Sequence, residues 1–163
     1  MTIGEAGTAG FDTLSWHDCH VWCLELRAGD AESGDWTSDL ALDIDYIAEW
    51  ICGASGHAQF RVAPATLVFH GATDLRVAVD PETQGTQIAL HPWSIDRIER
   101  APIAEQSVHL DRPYYRWRIA LNAPRDGEIV FGAWGFTQTL RAEPLLSERQ
   151  LLTRVQRSSA PWR

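Results

Sequence analysis

The segment Trp16-His17-Asp18-Cys19-His20 brings two imidazoles, a carboxylate and a thiol into five consecutive residues. Imidazole nitrogen and carboxylate oxygen together suit a divalent ion. Asp43 and Asp45 lie on what reads as the neighbouring strand, so His17, Asp18 and Asp43 form a candidate cation set. Strand geometry opposes it, because residues three apart point to opposite faces and separate His17 from His20. On the structural alternative Asp18 orders the start of the strand, and His20 is a half-buried core side chain. No metal and no cofactor is expected. Cys19 and Cys23 are four apart in an expected strand, about 13 Å by strand rise, too far for a disulfide or a shared zinc.

No GxSxG elbow marks a nucleophile, and no GxGxxG or GxxxxGK[ST] loop marks a phosphate cradle. No residue is therefore assigned a catalytic role. Asp43 and Asp45 share a face, which the alternation predicts to be a solvated acidic surface rather than a general acid/base pair. In Tyr114-Tyr115-Arg116-Trp117-Arg118, alternation sends Tyr115 and Trp117 to one side and Arg116 and Arg118 to the other. Those arginines would meet acidic strands or an anionic ligand, and sheet-internal pairing is the commoner outcome. A pocket in a barrel mouth would draw its polar groups from His17, Asp18, His20 and His70. The candidate ligand-binding set is thus His17, Asp18, His20, Asp43, His70, Arg116 and Arg118.

The elements that must position these residues are mostly strands. Trp22, Leu24 and Leu26 alternate with Val21, Cys23, Glu25 and Arg27. After the polar turn 28–35, Trp36, Leu40, Leu42, Ile44 and Tyr46 alternate with acidic and polar residues. The pair reads as a hairpin, with Leu24 opposite Leu40, Trp22 opposite Leu42 and His20 opposite Ile44. A one-residue slip would set Leu24 against Asp39, which burial of one face forbids. Residues 47–53 extend that strand or form a turn of helix. Pro64 makes 58–70 an edge strand, a bulged strand or two short strands. Further strands are expected around Leu75–Val79, Ile88–Leu90, Trp93–Ile98, Tyr115–Leu121 and Glu128–Arg141, the last bent at Gly132 and Gly135. Pro144 should end the strands. Ser147 and Gln150 have the spacing of a capping box opening a short C-terminal helix, whose Arg154 and Arg157 suit its macrodipole. The fold expected is an antiparallel β-barrel or sandwich of about seven or eight strands with one short C-terminal helix.

The chain of 163 residues, with 45% apolar and 22% charged content, is that of one ordinary globular domain. Residues 1–13 are expected to be a flexible leader and 14–163 the β-rich domain. A formal charge of −8 argues against nucleic-acid and membrane-surface binding and favours a basic partner. All 14 basic residues are Arg, as a GC-rich bacterial coding bias would give, although Arg112, Arg116 and Arg118 are close enough for a local basic groove. The three cysteines, with no export leader and no 20-residue apolar run, point to the cytoplasm. The eight Trp should dominate the core and any binding groove.

The stretch Trp16 to Val21, its strand and turn, and the strand Leu40 to Tyr46 together resemble small bacterial β-barrel domains. Some of those look like immunity proteins of polymorphic toxin systems. The resemblance implies a binding protein without catalysis that acts on a partner protein, and it carries over no site residues. The function expected is a non-enzymatic β-rich binding module for a protein partner or a second copy of itself. The alternative is a small-molecule-binding barrel or a hydrolase-like enzyme with a His/Asp pocket.

Overall fold

Alternation of apolar and polar residues produces strands throughout the chain. The structure, a computed structural model, describes residues 10–52, 57–79, 92–103, 112–158 and 162, with 2–7 by backbone alone. The strands are β1 (Thr2–Gly7), β2 (His20–Ala28), β3 (Ser38–Cys52), β4 (Ala58–His70), β5 (Thr73–Ala78), β6 (Trp93–Pro102), β7 (Tyr115–Ala123), β8 (Glu128–Ala133), β9 (Gly135–Leu140) and β10 (Leu145–Ser147). A short helix, α1 (Arg154–Ser158), follows. All ten strands belong to one sheet, in the order β1-β9-β4-β3-β2-β6-β7-β8-β5, with β10 branching off against β4. Every pairing is antiparallel. The sheet is open, with β1 and β5 ending the path, and it carries more strands than the seven or eight expected.

The sheet curls until its inner face meets itself. Phe69 on β4 lies 4.7 Å from Phe131 on β8 and 5.0 Å from Trp117 on β7, ring centre to ring centre. Leu40, Leu42, Ile44, Leu67, Ile95, Ile119, Ile129 and Phe136 fill the same interior. The buried indoles find acceptors, as buried N–H groups must. Trp117 donates to the Ala133 carbonyl at 3.0 Å and Trp16 to Gln138 at 2.6 Å. Two tight corners let the curl form. Gly71, between β4 and β5, has φ +63°, and a Cβ there would come within 2.8 Å of the Trp134 ring. Trp134 alone separates β8 from β9, and its N–H donates to the His70 carbonyl at 3.1 Å.

Several elements differ from expectation for identifiable reasons. In the β2–β3 hairpin Leu24 faces Leu42 and Leu26 faces Leu40, two residues from the expected pairing but on the same faces. Asp35 holds the Thr37 N–H at 3.0 Å, so Trp36 stays in the turn, 81% exposed, and β3 begins at Ser38. A bulge between Val21 and Cys23 then turns Val21 inward and sets His20 opposite Asp45, not Ile44. Residues 47–52 extend β3. Pro64 does not mark an edge: β4 is one continuous strand between β3 and β9. Its carbonyl accepts from the Arg141 N–H at 2.8 Å, so its missing N–H points to the same side. There it falls between the residues of β4 that pair with β9 and those that pair with β10, where no ladder bond is lost.

Pro144 does not end the strands, since β10 follows it. The capping box forms six residues later than expected. Thr153 N–H donates to the Gln156 side chain at 2.8 Å, and Gln156 N–H donates back at 3.3 Å, because Ser147 is committed to β10. The expected leader 1–13 carries β1, paired with β9, and a 3-10 turn at Phe11–Thr13. The strand expected at Ile88–Leu90 lies outside the described residues. Only Trp16 and Trp117 among the tryptophans are core residues; Trp22, Trp134 and Trp162 lie against Arg157, Arg112 and Arg27.

Candidate functional site

The outer face of β3 carries Asp39, Asp43 and Asp45, the residues expected to form a solvated acidic surface. That expectation fails for two of them: Asp43 is 6% and Asp45 0% exposed. The chain after β9 folds back across this face. Arg141 Nη2 donates to Asp43 at 2.7 Å, and Arg157 of α1 reaches both Asp43 and Asp45. The second oxygen of Asp45 accepts from the Trp22 indole at 2.8 Å and the Leu152 N–H at 2.9 Å. Arg157 also stacks on Trp22 at 4.8 Å. Every carboxylate oxygen is therefore satisfied, which charges removed from water require. The contacts span 98 and 114 residues of sequence for Arg141 and Arg157 on Asp43. No local pattern pointed to them; the macrodipole role expected for Arg157 gives way to this one.

Asp39 lies two pleats along the same face and meets His70. Its Oδ2 is 3.1 Å from His70 Nδ1, and its Oδ1 accepts the Gly71 N–H at 3.0 Å. His70 Nε2 is 2.7 Å from the Thr137 hydroxyl. A carboxylate only accepts, so the neutral ring donates from Nδ1 and accepts the threonine proton at Nε2. Trp134 stacks on the imidazole at 5.0 Å, and Arg112 lies over the indole at 4.5 Å. This carboxylate–imidazole–hydroxyl array has relay geometry and also ties down the corner where β4 turns into β5. Of its members the sequence nominated only His70, because Asp39 and Thr137 reach it across strands.

The remaining nominated residues do not converge. His17 lies exposed in the turn before β2, stacked on Trp50 at 6.3 Å. Asp18, at φ +60°, accepts from Asn122 at 2.5 Å and Gln150 at 3.0 Å, so it does order the start of β2. The candidate cation set is not assembled, since Asp43 is held by arginines. Among the described residues no three His, Cys, Asp or Glu side chains come together as a metal-holding group. Arg118 pairs with Glu128 at 2.9 Å and Glu99 at 3.3 Å, the sheet-internal outcome, while Arg116 stays exposed on β7. Hydrogen bonds donated to Glu128 and Glu99 raise the pKa of the Arg118 guanidinium above its ordinary value.

His20 is half-buried beside Asp45 and lines a cleft of about 300 Å³ with Gln150, Leu151 and Leu152. Its Nδ1 is buried without a partner, and burial lowers its pKa, although Asp45 and Asp18 pull the other way. Burial pushes the Cys19 thiol up to about 12, so it is an unreactive core group. Among the described residues no helix is long and apolar enough to cross a membrane. Comparison with protein families, with curated proteins and with solved structures finds no match to this chain.

Removing Arg157 leaves two carboxylates under the folded-back segment with two of their five hydrogen bonds gone. Arg157→Ala should lower the unfolding free energy by about 3–5 kcal/mol, read from urea denaturation. A loss below about 1 kcal/mol is that of a surface pair and would show the cluster to be solvated. His20 gives a pH dependence of defined sign. Its pKa is depressed in the folded state, so its contribution is complete above 6.5 and declines as pH falls toward the folded value. The loss between about pH 7.5 and about pH 5.5 should be smaller in His20→Gln than in the parent chain, measured by urea unfolding at both.

Proposed function

We propose that this protein is a non-enzymatic β-rich binding module that recognises a basic segment of a protein partner through the end of the β2–β3 hairpin. The observation that carries the reading is Trp36, 81% exposed in the turn of that hairpin. Asp30, Glu32 and Asp35 flank it in the turn. An indole face among carboxylates suits Lys or Arg, by cation–π contact and charge pairing together. The hydrogen bond from the Thr37 hydroxyl holds Asp35 below its ordinary pKa, so the turn stays anionic. The buried acids Asp43 and Asp45 are already neutralised within the fold, whereas Asp30, Glu32 and Asp35 face solvent. The resemblance to immunity-like β-barrel domains points the same way, and would make the partner a toxin protein.

A titration with an Arg-rich decapeptide, followed by tryptophan fluorescence, tests the reading. Binding should saturate, weaken with salt, and fall about tenfold or more in Trp36→Ala. Equal affinity in the variant, or equal binding of a Glu-rich decapeptide, overturns it. A dimer seen by light scattering and lost in Trp36→Ala would put a second copy of the chain in place of the basic partner.

A second reading, a hydrolase-like enzyme, rests on the Asp39–His70–Thr137 array alone. A fluorophosphonate should then label Thr137: an Oγ1–P bond forms, fluoride leaves, and the hydroxyl proton passes to His70. Labelling should vanish in His70→Gln, and absence of labelling in the parent chain removes this reading.

A further inference from the structure

The segment folded across the outer face leaves a cleft of about 560 Å³ beside the buried acids, lined by Asp43, Arg141, Arg154, Arg157, Ser158 and Trp162. We propose that this cleft binds the phosphoryl group of a small phosphate monoester. Its charge balance is the first support. Arg141 and Arg157 bring two positive charges against the two carboxylates Asp43 and Asp45, and Arg154 adds a third guanidinium at the rim. Among the described residues no carboxylate pairs with Arg154. The cleft is therefore locally cationic in a chain of net charge −8.

Hydrogen-bonding capacity is the second support. Trp162 lines the cleft, and its Nε1–H is buried with no acceptor. A buried donor without a partner carries a standing cost, which an incoming oxyanion removes. The acceptors already there are consumed: both oxygens of Asp43 are taken by Arg141 and Arg157. The cleft thus offers donors and asks for acceptors. Guanidinium groups match phosphate oxygens in geometry as well as charge. Arg141 and Arg157 are 11% and 13% exposed and held by Asp43, so they are preorganised and need no ordering when a ligand arrives.

The aromatic wall of the cleft is already occupied by cations: Arg27 lies over Trp162 at 5.0 Å and Arg141 at 5.5 Å from the same ring. The phosphoryl oxygens, not a stacked ring, would accordingly supply the recognition. The site lies on the outer face over β3 and β4 and stands independently of the hairpin-end surface.

Titration of the intact protein with inorganic phosphate and with glycerol 3-phosphate tests this, by calorimetry and by the fluorescence of the adjoining tryptophans. Both ligands should bind, with dissociation constants roughly millimolar or tighter. Arg154→Gln should weaken them about tenfold with the melting temperature unchanged, because Arg154 holds neither aspartate. Trp162→Phe keeps the ring and removes the donor, and should weaken both as well. No binding, or binding indifferent to both substitutions, overturns the proposal. Malonate bound as tightly as phosphate overturns the phosphoryl assignment.

Discussion

Everything on the outer face follows from two carboxylates almost wholly removed from solvent. Asp43 and Asp45 occupy the middle of β3, whose inner face is covered by the curled sheet and whose outer face is covered by the C-terminal segment. A carboxylate in such a place costs several kcal/mol unless counter-charge and hydrogen bonds surround it. Arg141 and Arg157 provide both, and in doing so they fix where the chain after β9 must run. The same bonds explain why α1, only five residues long, persists: an isolated helix of that length would not. It is held by Arg157 on the acids and by the Thr153–Gln156 box at its start.

The corner at His70 solves a different problem. β4 leads into β5, and β8 into β9, at adjacent points, so two abrupt changes of direction must coexist. Gly71 gives the space, Trp134 fills it, and the Asp39–His70–Thr137 bonds tie three neighbouring strands together beside it. Tyr114 adds a further bond, from its hydroxyl to the Gly71 carbonyl at 2.8 Å. A relay geometry can thus have an architectural use, and its presence alone does not define a reaction.

Arginine and tryptophan recur together over this surface. Arg157 on Trp22, Arg112 on Trp134 and Arg27 on Trp162 use the planar guanidinium against the indole face, a contact an ammonium makes with less area. A chain without lysine is suited to this kind of surface packing. The tryptophans did not gather in the core, as their size alone suggests. Three of the eight serve as surface platforms for arginines, while Trp36 is left to solvent.

The sequence by itself determined the strands. A period of two is a local property, so β2, β3, β6 and β7, the bend between β8 and β9, and the inward direction of Leu42 and Trp117 were all legible from alternation. The pairing of Arg118 was legible too, because it needs only its own strand and the next, whereas the partners of Asp18, Asn122 and Gln150, lie 104 and 132 residues away. Register, the bulge at Trp22 and the fate of Asp43 and Asp45 were not. Alternation tells which residues share a face but not whether that face is wet, since this depends on what the rest of the chain lays over it. The covering segment lies about a hundred residues away, and only the closed ion pairs decide that it lands there.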